Sequence, residues 1–180
     1  QKGYLIRRIA PHESLSKEQS LSSNTELLLP VELNHRMMNR GLEAIAIKGE
    51  DLYFTTQSPL IFEANGKSES NVLRIYVFNL TKNQVTHQFL YKMENKKNKI
   101  GDFAFSPKGI LHLVEQNGTE GNEGFRKIYS LDFFNSTDLP LTNPAIESQI
   151  KQFELMTEKE LKDSKIEFVA KKEILDLKKV

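Results

Sequence analysis

The chain has 180 residues, 25 Lys and Arg against 24 Asp and Glu, and no cysteine. That length is enough for one ordinary core. Balanced charge removes the global electrostatic case for nucleic acid or a membrane surface, and the missing cysteine excludes disulfides, thiolate metal sites and a cysteine nucleophile. A content of 38% hydrophobic residues suits a sheet protein with long polar loops, and no apolar run approaches the roughly 20 residues that span a bilayer. The chain starts at Gln1 without a methionine, which is read as the removal or omission of any targeting segment.

In chain order, residues 3–10 alternate loosely before Pro11 and read as a short strand. Residues 12–26 are Ser-, Glu- and Lys-rich without a period and read as a solvent loop, after which Leu27, Leu28 and Leu29 return briefly to the core. Asn39-Arg40-Gly41-Leu42-Glu43 then leads from an irregular polar approach into a strand over 42–48, expected as a buried inner strand because of Ala44-Ile45-Ala46-Ile47. Arg40 and Glu43 are therefore expected at a site that water barely reaches, where each needs a partner, with Gly41 allowing a tight backbone approach. Turn signals at 49–51 and 81–83 and a long loop over 58–70 divide further strands at 52–57, 72–80 and 84–92. Lys92 to Lys99 holds four lysines without interleaved aromatics and reads as a solvated turn.

The same order recurs. Strands are expected around 103–105, at 110–115, at 126–133 and at 166–177, and Leu73-Arg74-Ile75-Tyr76 resembles Arg126-Lys127-Ile128-Tyr129. Before the last strand, Asn143-Pro144 signals a helix start with Ile146, Ile150 and Phe153 on one face, and Thr157 with Glu160 fits a capping box. Two four-stranded units repeating every ~50 residues predict an all-β fold, a partial β-propeller of four-stranded antiparallel blades with a short helical insertion near residues 144–163. Residues 1–38 would be the end of a preceding blade and a loop, 39–99 one blade, and 100–180 a second blade with the insertion; the remainder of a propeller or another chain would close the ring. The alternative is a two-sheet sandwich.

Strand direction sorts the polar residues. The start of the first strand, the end of the second and the start of the third share one edge of a sheet, which groups Arg40, Glu43, Gln57, Ser58 and Arg74 with Asp102, Glu115 and Arg126 and makes Gln57 and Glu115 equivalent strand ends. Carboxylates with side-chain amides can hold a hard cation such as Ca2+, and arginines suit bidentate contact with phosphate or carboxylate. Ion pairs tying one blade to the next, such as Arg40 with Asp102, fit the same residues. A Gly-x-Ser-x-Gly elbow and nucleotide fingerprints are absent, His12, His35, His87 and His112 lack ligand spacing, and three Asn-x-Thr sequences match a short, common glycosylation pattern.

Residues 36–46, Leu52-Tyr53, Gln57-Ser58-Pro59-Leu60, Leu73-Arg74-Ile75, Ile100-Gly101-Asp102, Leu113-Val114-Glu115 and Lys127-Ile128-Tyr129 together resemble the phytase-like family described as having esterase-like activity of phytase. The resemblance implies a propeller-like domain, exported to the periplasm or outside a bacterial cell, that hydrolyses phosphate esters or other esters. Arg40, Glu43 and Glu115 are the expected catalytic residues; Asn39, Gln57, Ser58, Arg74 and Arg126 the expected substrate contacts; Glu43, Asp102 and Glu115 the expected Ca2+ ligands, with metal-bound water as nucleophile. The substrate would be a small anionic or ester compound, with no nucleic acid and no membrane span. The alternative is a non-catalytic propeller whose mouth binds a small anion, a sugar or a protein.

Overall fold

The fold is seen in a computed structural model that describes residues 7–12, 25–63, 69–141 and 150–178. Two short strands, β1 (Arg8–Pro11) and β2 (Thr25–Leu29), pair in parallel. A 3-10 turn over Val31–His35 leads to a four-stranded antiparallel sheet of β3 (Leu42–Lys48), β4 (Asp51–Thr56), β5 (Val72–Asn79) and β6 (Gln84–Lys92). A second such sheet follows: β7 (Lys99–Phe105), β8 (Leu111–Gln116), β9 (Arg126–Asp132) and β10 (Ala170–Asp176). Each is a meander in which neighbours in sequence are neighbours in space. The turns behave as their residues demand: Gly49 (φ 61°), Asn83 (φ 56°) and Gly109 (φ 74°) supply the left-handed conformations of the tight connections. The expected solvent loop ends earlier than read, because Thr25 and Glu26 already belong to β2.

The main core lies between the two sheets. Ala44, Leu73, Ile75, Tyr91 and Met93 of the first sheet meet Ile100, Phe103, Leu111, Leu113, Tyr129 and Leu131 of the second. On its other face the first sheet buries Phe54, Tyr76 and Phe78 against Leu29 and Leu33 of the preceding segment. The repeated Ile-Tyr pairs explain this order: Tyr76 on β5 faces what precedes the first sheet, and Tyr129, its counterpart on β9, faces the first sheet itself. Each unit thus stacks by the same face on the one before it, and the sheets do not close on themselves.

The same rule overturns the expectation of a buried β3. Only Ala44 is buried there; Ile45 is 55% and Ile47 56% exposed. Ile45 and Ile47 stand opposite Phe54 and Leu52, on the face that meets the preceding segment, where β2 packs beside β6 and, among the described residues, nothing buries the β3 side. The burial that this face lends to Ile100 and Phe103 in the second sheet is missing for its counterpart in the first.

The excursion between β9 and β10 docks onto the first sheet. Leu139, Phe153 and Leu161 pack on Val72 and Leu90, while the amides of Leu139 and Val169 bond to the carbonyls of Gln88 and Leu90 and cover the free edge of β6. Thr157 and Glu160 form the expected reciprocal capping box at helix α1 (Glu158–Asp163). The proposed helix start at Asn143-Pro144 and its residue Ile146 lie outside the described residues.

Candidate functional site

A polar junction forms where the inner strands of the two sheets approach. Its backbone is tied at one residue: Gln57 donates its amide to the carbonyl of Gly41 (2.9 Å) and accepts at its carbonyl from the amide of Ile100 (2.9 Å). Ahead of the junction Asn39 takes the left-handed conformation (φ 61°), a turn closed by the bond from the Arg40 amide to the Met37 carbonyl (2.9 Å). The conformational demand therefore falls on Asn39. Gly41 has ordinary φ and open space where a Cβ would stand, so the close approach expected there does not occur.

Both inner strands carry a bulge at this end. Leu42 pairs with Thr56 and Ala44 with Thr55, leaving Glu43 as the extra residue; in the second sheet Ile100 pairs with Glu115 and Asp102 with Val114, leaving Gly101. A bulge re-aims the side chain it carries, and Glu43 is exposed. The register corrects the expected equivalence of Gln57 and Glu115: the partner of Ile100 is Glu115 and that of Leu42 is Thr56, so Glu115 corresponds to Thr56 and Gln57 to Gln116.

The side chains of Arg40, Glu43 and Gln57 make no hydrogen bond or ion pair with any described residue, and that of Asp102 only accepts from the Phe103 amide next to it (2.8 Å). Arg40 and Gln57 are half-buried, Asn39, Glu43 and Asp102 exposed. The expected pair between Arg40 and Asp102 is not formed, and Glu43 and Arg40 are not sealed from water as their setting in the sequence suggests.

Arg74, expected to hold an anion, is instead consumed within the protein. Its Nε and Nη2 donate to the two carboxylate oxygens of Glu154 (2.7 Å each), Nη2 also to the carbonyl of Lys151 (2.6 Å), and Nη1 lies 3.5 Å from Glu32. Phe62 and Phe153 flank the guanidinium. Burial is the largest influence and works against the charged guanidinium, but the charge and hydrogen bonds of Glu154, with smaller contributions from Tyr76 and Glu32, together outweigh it and raise the pKa of Arg74. Burial also raises the pKa of Glu32, partly offset by Arg74, and one Glu32 oxygen and the hydroxyl of nearby Tyr76 are buried without hydrogen-bond partners. This group pins the excursion to the first sheet.

Glu115 likewise spends its carboxylate inside. Oε1 accepts from the Asn98 amide group (2.6 Å) and the Glu94 backbone (2.8 Å), and Oε2 from the Tyr91 hydroxyl (2.8 Å), with Lys171 3.6 Å away. Lys171 also reaches Glu94 (3.0 Å) and sits over the Tyr91 and Tyr129 rings. Burial first, then the Glu115 charge, holds the Tyr91 hydroxyl protonated far above its ordinary range. The network joins the sheets across their interface, which is the ion-pair reading with partners other than those expected.

Ser58 is buried with its hydroxyl unpartnered, and its carbonyl accepts from Thr56. Arg126 is exposed at the start of β9, two strands and roughly 10 Å from the inner strand of its sheet. Glu43, Asp102 and Glu115 do not fit a Ca2+ set: among the described residues no three His, Asp or Glu side chains gather as metal ligands, and every oxygen of Glu115 already has a donor. His87 and His112 lie in strands as read, but His87 binds Asp138 through Nδ1 (2.6 Å). The residues that the sequence reading missed are Glu32, Glu154 and Lys171; all are distant in sequence from the groups they bind, and no local pattern marks them.

The fold and junction define a class: an all-β protein built of successive four-stranded meanders, with unpaired polar side chains where two inner strands meet. Residues 2–180 match the family model described as Phytase-like: Esterase-like activity of phytase, and the chain belongs to that family. No curated protein and no solved structure gives a match. Among the described residues no helix is long and apolar enough to cross a membrane.

Proposed function

We propose that the protein is an esterase-like hydrolase of small anionic esters, phosphate esters included, acting at the junction of β3, β4 and β7. The observation that carries this reading is that Arg40, Glu43 and Gln57 stand unpaired beside a backbone fixed by the two hydrogen bonds of Gln57, whereas Arg74 and Glu115 are fully engaged elsewhere. Ionised groups left without protein partners can meet a substrate without first breaking a native bond. In this reading Arg40 holds the ester anion, Gln57 and Asn39 orient it, and Glu43 on the bulge accepts a proton from the attacking water. No step runs through Ca2+. The two sheets, with boundaries at 39–99 and 100–180, would be successive blades of a propeller arc, supported by their like-faced stacking.

The test is hydrolysis of 4-nitrophenyl phosphate and 4-nitrophenyl acetate by the protein and by Arg40→Ala and Glu43→Gln, with Ca2+ and with a chelator. Each variant should lose about a hundredfold in kcat/KM on at least one ester while melting like the parent. Absence of turnover of both esters by the parent, or full activity in both variants, would remove the proposal.

A further inference from the structure

At the opposite end of the sheets lies a cleft that the proposed hydrolase site does not use. It has a volume of about 420 Å³ and opens between the end of β3, the start of β4, β6, the end of β7 and the end of β9, within the ~300–1,000 Å³ usual for small-molecule sites. Its walls are aromatic: Tyr53 meets Phe105 (5.1 Å between centroids) and Phe133 (5.9 Å), and Phe133 meets Phe89 (5.1 Å), all edge to face. Such an arrangement leaves ring faces and edges for a further ring to stack upon. Phe134, which also lines the cleft, is 88% exposed.

Two polar groups of this cleft are placed to donate to a ligand, Lys48 and Tyr53. Lys48 lies over the Phe105 ring (5.6 Å) and donates one N–H to the carbonyl of Gly109 (3.1 Å), so its remaining N–H groups and its charge are open to a ligand. Tyr53 has a hydroxyl without a partner among the described residues. His87 donates Nδ1–H to Asp138, which leaves Nε2 of the neutral ring an acceptor that takes no part in holding an anion. Among the described residues the lining holds one carboxylate, Asp132, whose Oδ1 accepts from the Phe134 amide (2.9 Å). An ammonium and a hydroxyl beside aromatic rings are complementary to a flat ring that carries a carboxylate.

We propose that this cleft binds a small aromatic carboxylate, the ring between Tyr53, Phe105 and Phe133 and the carboxylate on Lys48. The inference stands apart from the hydrolase reading, since it shares no residue with it. The probe is 2-naphthoate, titrated calorimetrically into the whole chain, with 2-naphthylmethanol as the neutral ring and cyclohexanecarboxylate as the acid without one. Saturable binding with Kd below about 1 mM is expected for naphthoate, with amide shifts centred on Tyr53, Phe105 and Phe133 in NMR spectra. Lys48→Met, an exposed position, should weaken naphthoate about tenfold and leave naphthylmethanol unchanged, and Tyr53→Phe should weaken it less while keeping the fold. No saturable binding, equal affinity in Lys48→Met, equal affinity for cyclohexanecarboxylate, or shifts centred on Arg40 instead would each overturn the proposal.

Discussion

Replacing Glu154 by alanine tests whether Arg74 is a structural group. In the native protein the guanidinium has two short bonds to Glu154, one to a carbonyl, and a second carboxylate at 3.5 Å, all with little access to water. Removing the Glu154 carboxylate leaves the buried cation the Lys151 carbonyl and, as its one carboxylate among the described residues, Glu32 at the longer distance, and breaking such a pair costs about 3–5 kcal/mol. For a chain of this size each kcal/mol moves Tm by about 2–4 °C, so the variant should melt about 6–20 °C lower. Urea titration followed by circular dichroism should show the same loss as a lower midpoint. Truncating the arginine alone is no control, because Glu32 would then lose its one ion-pair partner among the described residues. The informative variant is therefore the triple Arg74→Met, Glu154→Leu, Glu32→Gln, which removes every charge of the group and should recover most of the loss. A Glu154→Ala cost below about 1 kcal/mol, or a triple variant no more stable than that single one, would refute the reasoning.

Three further outcomes follow from the same interior. Burial raises the pKa of Glu32, so the native state holds its proton at pH values where the unfolded chain has released it; stability should fall as pH rises above about 4.5 toward the native value, and Glu32→Gln should abolish that slope in pH-dependent melting. Glu115→Ala strands the Tyr91 hydroxyl and the Asn98 amide and should cost about 3 kcal/mol or more by urea unfolding, whereas a surface ligand residue would cost little. Thr157→Ala removes one half of the capping box and should lower stability by about 1 kcal/mol, read most directly as faster amide exchange at Glu160.

What could be read from the sequence was whatever depends on neighbours in the chain. Alternation and the turn residues Gly49, Asn83 and Gly109 place the strands of both sheets to within a few residues, and the Thr157 cap marks α1, because these signals act over one or two turns of chain. Burial of Ile45 and Ile47 was misread because alternation reports which residues share a face and says nothing of whether another sheet covers it. The fate of Arg74 depends on Glu154, 80 positions away, across a segment whose path no local rule gives. The connection from β7 to β8 is one residue longer than that from β3 to β4, since Phe105 pairs with Leu111 but Ile47 with Leu52, and this is why aligning the strands by their turns makes Gln57 rather than Thr56 the counterpart of Glu115.

That register also separates the two repeats chemically. Matching Glu43 with Gly101 sets Arg40 beside Asn98 in the equivalent position. Asn98 is buried and bound to Glu115, so in the second repeat this corner is filled by a closed internal network. In the first repeat the same corner carries a guanidinium and a carboxylate with no described partner. Two charged side chains that bond to no described residue contribute nothing evident to stability, while Asn98 in the second repeat helps to hold the sheets together. The asymmetry between two copies of one unit is therefore what supports the proposed site on the first, and it predicts that grafting Asn98 and Gly101 onto positions 40 and 43 leaves the melting temperature unchanged and removes ester turnover.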